Sequence, residues 1–273
     1  MLLKNLIKNC PYSLKNVKVK GIATDSKQIK KGYLFFAIKG QKYNGTNYIK
    51  EAIKKGAKAI VSNKRSSSRK IIFCKNNNIK ATLSNVCKKF YKEQPKIIIA
   101  VTGTNGKSSV VDYFRQLLYL NKKKVATIGT LGMYLNYKKT KSILTTPDIV
   151  TLHKFMRDVK RKKIDIVMLE ASSHGLHQGR LDGLNLKAGV FTNLSQDHLD
   201  YHKTKKNYLK AKLLLFKKYL KKGNFSILSN QVLEFNKIKQ ISKKKKLKII
   251  QTHEIYKKLK NLKLKNFEAK FQL

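Results

Sequence analysis

Three features of this 273-residue chain predict a two-part α/β protein. Strand-like and helix-like stretches alternate along it, a wholly apolar β-branched run at Ile97–Val101 opens into a glycine-containing loop, and Pro95-Lys96 breaks the chain just before that run. The expected architecture is a small N-terminal α/β unit over residues 1–94. It is followed, over 95–273, by an incomplete central domain built on a parallel sheet of the P-loop ATPase kind.

In the first part, Leu34-Phe35-Phe36-Ala37-Ile38 reads as a strand, Tyr48 to Lys55 as a short helix stopped by Gly56, and Ala59-Ile60-Val61 as a second strand. Three serines between Lys64 and Lys70 predict a loop, and a helix from about Leu83 to Lys92 leads to the break at Pro95. Beyond it come a strand at Val125–Gly129, a helix at Val150–Arg161 opened by Pro147 and Asp148, and a strand at Ile164–Leu169 that delivers Glu170 at its carboxyl end. Ala188–Thr192 is a further strand, Tyr208–Leu220 a helix and Ser226–Leu228 a last short strand. Residues 237–265 are lysine-dominated and carry no motif, so the tail 237–273 is left undefined.

The loop after Val101 reads Thr102-Gly103-Thr104-Asn105-Gly106-Lys107-Ser108-Ser109. Its glycines allow backbone N–H groups to approach phosphate oxygens, Lys107 is placed to reach β- and γ-phosphates, and Ser108 offers a hydroxyl to Mg²⁺ at the start of a helix. Val110, Val111, Phe114, Leu117 and Leu118 recur at the spacing of that helix. The common pattern G-x-x-x-x-G-K-S/T has glycine where this chain has Val101. Ligands of open α/β sheets sit at the carboxyl ends of the strands, which gathers the loop, Glu170 and Asn193 on one edge. Glu170, followed by the small residues Ala171-Ser172-Ser173, suits a carboxylate near Mg²⁺ in a P-loop enzyme.

The formal charge is +48, yet only six of the 62 basic residues are arginine, and the lysines are spread along the chain. A dedicated nucleic-acid reader leans on arginine's bidentate fork, so the charge is assigned to solvated lysine faces that assist capture of polyanions, with no specific nucleic-acid partner. No apolar run reaches membrane-spanning length and MLLKNLIKNCPYSL lacks the core of a secretory signal, which predicts a cytoplasmic protein without membrane insertion. Cys10, Cys74 and Cys87 form no C-x-x-C pair and predict neither disulfides nor structural zinc. Four histidines, His174, His177, His198 and His202, crowd within 29 residues, but no Glu separates His198 and His202 as a zinc H-E-x-x-H site requires. Lys212 sits in so lysine-rich a stretch that composition singles out no member of it.

Taken together, these segments resemble the Mur ligase family, in the branch that adds the third residue of the peptidoglycan stem peptide. The markers are Asp25-Ser26-Lys27 with Gly32 to Ala37, Thr102 to Ser109, Thr145-Thr146-Pro147, Glu170 to Leu176, and Thr192 to His202. The family's loop has the form T-G-T-N-G-K-S/T, which accounts for Val101. The resemblance implies a uridine-nucleotide domain at the N-terminus, with Thr24, Ser26, Gln41, Lys42 and Tyr43 on the UDP moiety. It implies ATP phosphates held by Gly103, Thr104, Asn105, Gly106, Lys107, Ser108 and Ser109, and one Mg²⁺ on Ser108 and Glu170. A second Mg²⁺ would lie on His198 and on Lys212 in carbamylated form. Thr145, Thr146, Ser172, Gln178 and Arg180 match positions that bind the UDP-muramoyl-peptide, and Lys107, Lys212 and His198 the catalytic ones.

The implied reaction is ATP-dependent amide formation between UDP-MurNAc-L-Ala-D-Glu and a diamino acid, meso-diaminopimelate being favoured over lysine, through an acyl phosphate. Two other classes compete: a folylpolyglutamate-synthetase-like ligase, which lacks the uridine unit, and a basic nucleic-acid-binding protein. The family's third domain, with its D-N-P-R-like segment, and its N-A-D-D-like stretch at Asn230 are not found before Leu273. The chain therefore reads as a fragment, a shortened product or one part of a split enzyme with a separately encoded C-terminal domain, and little ligase activity is expected of it alone.

Overall fold

The computed structural model describes residues 1–8, 10–40, 43–64, 70–73 and 78–254, and these gather into two compact units. Met1–Pro95, Pro147–Asp165 and Gly179–Asn185 form the first; Lys96–Thr146, Ile166–Gln178 and the described part of Leu186–Leu273 form the second. No helix among the described residues is long and apolar enough to cross a membrane.

The first unit holds four parallel strands in sequence order: β1 (Gly21–Ala23), β2 (Tyr33–Ala37), β3 (Ala59–Ser62) and β4 (Ile71–Phe73). Strands β2 and β3 are almost wholly buried, so their sequences are continuous apolar runs rather than alternating ones. One face carries Leu34, Phe36 and Val61 against Leu3, Leu83 and Val86; the other carries Phe35 and Ile60 against Ala52 and Ala57. The helix expected at Leu83–Lys92 runs from Asn78 to Phe90, and the one expected at Tyr48–Lys55 is a 3₁₀ turn at Gly45–Tyr48 followed by Ile49–Lys54. Helix Ile149–Arg161, which the sequence reading assigns beyond residue 94, packs with the first unit, where Ile149 and Val150 join the same core as Leu83 and Val86.

In the second unit, eight strands are ordered β12-β11-β10-β5-β9-β6-β7-β8. Here β5 is Ile97–Thr102, β6 Ala126–Gly129, β7 Gly132–Leu135, β8 Lys138–Thr140, β9 Ile166–Glu170, β10 Ala188–Phe191, β11 Phe225–Leu228 and β12 Lys248–Gln251. Strands β12 through β6 in this order run parallel, and β7 and β8 extend the edge as an antiparallel hairpin. From β5 the chain crosses to β6 on one side of it and later returns to β10 on the other. The carboxyl end of β5 is therefore the switch point of the sheet, the place where open α/β sheets bind ligands.

Several elements were not foreseen. Strands β1, β4, β7 and β8 have only three or four residues each, and β8 is exposed throughout, so none shows an apolar period. In the lysine-rich tail, Phe235–Lys244 is a helix that buries Ile238 and Ser242, and β12 pairs with β11. The helix expected at Tyr208–Leu220 spans Lys205–Leu214 and ends in a π-helical turn, Leu215–Tyr219.

Candidate active site

Strand β5 ends at Thr102, and Gly103 to Gly106 turn the chain into helix Lys107–Leu120. Two glycines are required by this turn for different reasons. Gly106 caps the helix at φ +80°, in left-handed backbone, while a Cβ on Gly103 would lie 1.8 Å from Thr192 Oγ1. The segment after β10 holds the loop from the other side. Thr104 N–H donates to Asn193 O (2.9 Å), Asn105 N–H to Asn193 Oδ1 (2.9 Å), and Thr192 Oγ1–H to Asn105 O (2.6 Å).

Lys107 Nζ donates to two carbonyls of its own loop, Thr104 O at 2.7 Å and Gly103 O at 3.1 Å. Its pKa lies below that of an ordinary lysine because burial disfavours the cation, with Glu170 and Asp197 opposing. Next to it, Ser108 Oγ–H donates to Glu170 Oε1 at 2.9 Å. Glu170 is 1% exposed and holds two further donors from Thr130, the backbone N–H at 2.8 Å and the hydroxyl at 3.3 Å. A hydroxyl beside a buried carboxylate is an all-oxygen donor pair of the kind Mg²⁺ prefers, so these residues fit that ion. Asn105 in the loop and Ser109 on the first helical turn are both exposed.

Lys212, indistinguishable from its neighbours in sequence, is distinguished by the fold. It is 1% exposed, donates to Gly103 O at 2.5 Å, and lies 4.2 Å from the ring centroid of buried Tyr208. Burial, reinforced by the charge of Lys107 and opposed by Asp197, pulls its pKa down to about 7. The lowered value raises the fraction of neutral amine, the form that can react with CO₂. Tyr208 in turn donates to Thr104 Oγ1 (3.3 Å).

The four histidines come together, the ring of His177 lying 5.9 Å from that of His202. His198 adopts left-handed backbone (φ 53°) ahead of the short helix Leu199–His202, with Nε2 3.4 Å from Asp197 Oδ2. His174 lies with its ring 4.9 Å from that of His198 and 5.5 Å from that of His202. Burial, then the neighbouring histidines, push the His202 pKa down to about 4. Among the described residues no group of three or more His, Cys, Asp and Glu is arranged to hold a metal ion.

Of the remaining expected residues, Thr146 and Ser172 lock together beside Glu170. Thr146 Oγ1–H donates to Glu170 O (2.8 Å), Ser172 N–H donates to Thr146 Oγ1 (2.9 Å), and Ser172 Oγ caps helix Ser173–His177 through Gly175 N–H. Thr145 Oγ1 is 3.1 Å from Thr130 Oγ1, and Gln178 Nε2 donates to Tyr201 Oη (3.3 Å). Thr24, Ser26, Tyr43 and Arg180 belong to the first unit. There Ser26 is buried with its hydroxyl on Glu51 (2.9 Å), Thr24 is half-buried and Tyr43 is exposed. Gln41 and Lys42 lie outside the described residues. Thr130, Thr192 and Tyr208 take their roles from contacts 40 or more residues away, which no spacing in the sequence assigns.

This chain matches the Mur ligase middle domain over residues 101–273 and the Mur ligase family catalytic domain over 18–94. It is 44% identical over 214 residues to the UDP-N-acetylmuramoyl-L-alanyl-D-glutamate--2,6-diaminopimelate ligase of Rickettsia bellii (strain RML369-C), covering 77% of this chain and 44% of the relative. With the enzyme of the same name from Bradyrhizobium diazoefficiens it shares 40% identity over 230 residues, covering 83% of this chain and 47% of that one. A solved structure of such a ligase superposes with a TM-score of 0.78 at 26% identity, over 92% of this chain and 52% of its own. A Thermotoga maritima MurF ligase in complex with ADP shares the fold at a TM-score of 0.57 and 18% identity, over 87% of this chain and 51% of its own. The chain thus spans about half the length of the curated relatives it matches. Its loop, its Ser108–Glu170 pair and its buried Lys212 lie within the matched middle domain, and the chain belongs to the Mur ligase family.

Proposed function

We propose that this chain carries the uridine-nucleotide and ATP-handling parts of the ligase that joins a diamino acid, meso-diaminopimelate, to UDP-MurNAc-L-Ala-D-Glu in peptidoglycan synthesis. The observation that carries this is the 2.9 Å contact of Ser108 with the buried Glu170 at a helix N-terminus, with Lys107 and Lys212 both donating to Gly103 O. Such an arrangement gathers cations and oxygen ligands where a triphosphate meets a carboxylate.

In this reading the terminal carboxylate of the dipeptide attacks the γ-phosphate, giving an acyl phosphate and ADP, and the amine of the diamino acid then displaces phosphate. Bringing a carboxylate against a polyphosphate crowds like charges. Lys107, released from its own loop carbonyls, turns to the β- and γ-oxygens, and the N–H groups of the turn and of helix Lys107–Leu120 face the phosphates. Ser108 and Glu170 would hold Mg²⁺, as would His198 together with Lys212 once its neutral amine has taken up CO₂ to form a carbamate, with loss of a proton. When bound, Mg²⁺ supplies charge neutralisation along the transferring phosphoryl group. Thr145, Thr146, Ser172, Gln178 and Arg180 would hold the muramoyl-peptide, and Thr24, Ser26, Gln41, Lys42 and Tyr43 the UDP.

Titration calorimetry with this chain tests the reading. Binding of ADP with Mg²⁺ that falls by about tenfold or more in Lys107→Ala, together with saturable binding of UDP-MurNAc-L-Ala-D-Glu, is expected. A chain that binds neither ligand, or takes a folate in place of the muramoyl-peptide, overturns it.

A further inference from the structure

Glu170 stands at the end of strand β9, and its carboxylate is gripped from just past the end of a second strand, β6. Residues Ile128 and Leu169 are paired across β6 and β9, which sets Gly129 and Thr130 beside Glu170. A Cβ on Gly129 would lie 2.1 Å from Glu170 Oε1, so only glycine lets the following residue close on the carboxylate. Thr130 then donates twice: N–H to Oε1 at 2.8 Å and Oγ1–H to Oε2 at 3.3 Å.

A carboxylate offers about four acceptor directions. Ser108 and the two Thr130 groups take three of them, which leaves one for a cation. Ser108 is the group whose hydroxyl oxygen would also face that cation, so its own hold on Glu170 changes on metal binding. Thr130 keeps both carboxylate oxygens in place through that change. The Thr130 hydroxyl, donating to Glu170, is also free to accept from Thr145 Oγ1 at 3.1 Å, which fixes its rotor.

We propose that Thr130 is a positioning residue that orients Glu170 for its divalent cation; this rests on the reading of Ser108 and Glu170 as the metal pair. The test is Mn²⁺ affinity of the full chain in the presence of ADP, followed by the electron-spin signal of free Mn²⁺, alongside ADP affinity without metal. Thr130→Val keeps the backbone donor and the side-chain shape but loses the hydroxyl. It should weaken Mn²⁺ by about tenfold or more, as loss of a hydrogen-bond partner of a metal ligand does, and leave metal-free ADP affinity unchanged. Thr130→Ser should restore wild-type Mn²⁺ affinity, and Thr130→Ala provides the same loss with a smaller side chain should valine disturb the fold. If Thr130→Val and Thr130→Ala bind Mn²⁺ like wild type while Glu170→Gln does not, the inference alone fails. If the wild-type chain binds no Mn²⁺, or Glu170→Gln binds it normally, the metal pair fails and the inference with it.

Discussion

Single side chains decide how tightly the loop is made. Gly103→Ala drives a methyl group into Thr192 Oγ1, which is already committed to Asn105 O. We expect this substitution to cost about 1–3 kcal/mol in urea unfolding, and Gly103→Ala with Thr192→Ala to recover part of it through relief of the shared clash. His153 gives a pH dependence in the first unit. It is 1% exposed, with Nε2 2.9 Å from Asp182 O, and burial holds its pKa below the ordinary histidine value. With the folded-state value lowered, the unfolded chain takes up the proton first as pH falls through about 6.5, so the unfolded state binds the extra proton and stability is lost on acidification. His153→Gln should flatten the decline of unfolding free energy between about pH 7 and pH 5. At this scale the sequence was legible where chemistry is local, as at Lys107 and Ser108. Lys212 was not, because what sets it apart is burial under Tyr208, and no spacing encodes that.

Among the elements, those legible in sequence are the ones whose own residues dictate them. Strand β5 is five apolar residues closed by Thr102, and helix Ile149–Arg161 is announced by Asp148, whose carboxylate accepts from Val150 N–H (2.9 Å), Thr151 N–H (3.1 Å) and Thr151 Oγ1–H (2.6 Å). Asp148→Ala should destabilise the protein by about 1 kcal/mol, seen as a lower urea midpoint with an unchanged slope. The β7–β8 hairpin and the Phe235–Lys244 helix were not legible for the opposite reason. Their form comes from a neighbour: β7 borrows its register from β6, and Ile238 and Ser242 are buried points in a field of lysines, Ser242 donating to Ser226 Oγ at 2.9 Å. Segment Gly179–Asn185 is held the same way, by Gln94, whose amide donates to Gly183 O and accepts from Asn185 N–H, both at 2.9 Å.

For the molecule as a whole, a charge of +48 sets a self-repulsion that no local contact removes. Raising salt from about 0.01 M to about 0.1 M shortens the screening length from about 30 Å to about 10 Å. The urea midpoint should therefore rise over that range, while any binding to DNA falls steeply and is indifferent to Lys107→Ala. The division into two units has a consequence for how the chain is made. The first unit is assembled from three separate stretches, the last ending at Asn185. Ile149 and Val150 enter its core only after β5 and β6 have been synthesised. The unit that begins at the N-terminus therefore cannot close its core until strands β5 to β8 of the other unit have already left the ribosome, yet all three of its stretches are made by Asn185, before β10, β11 and β12 are translated.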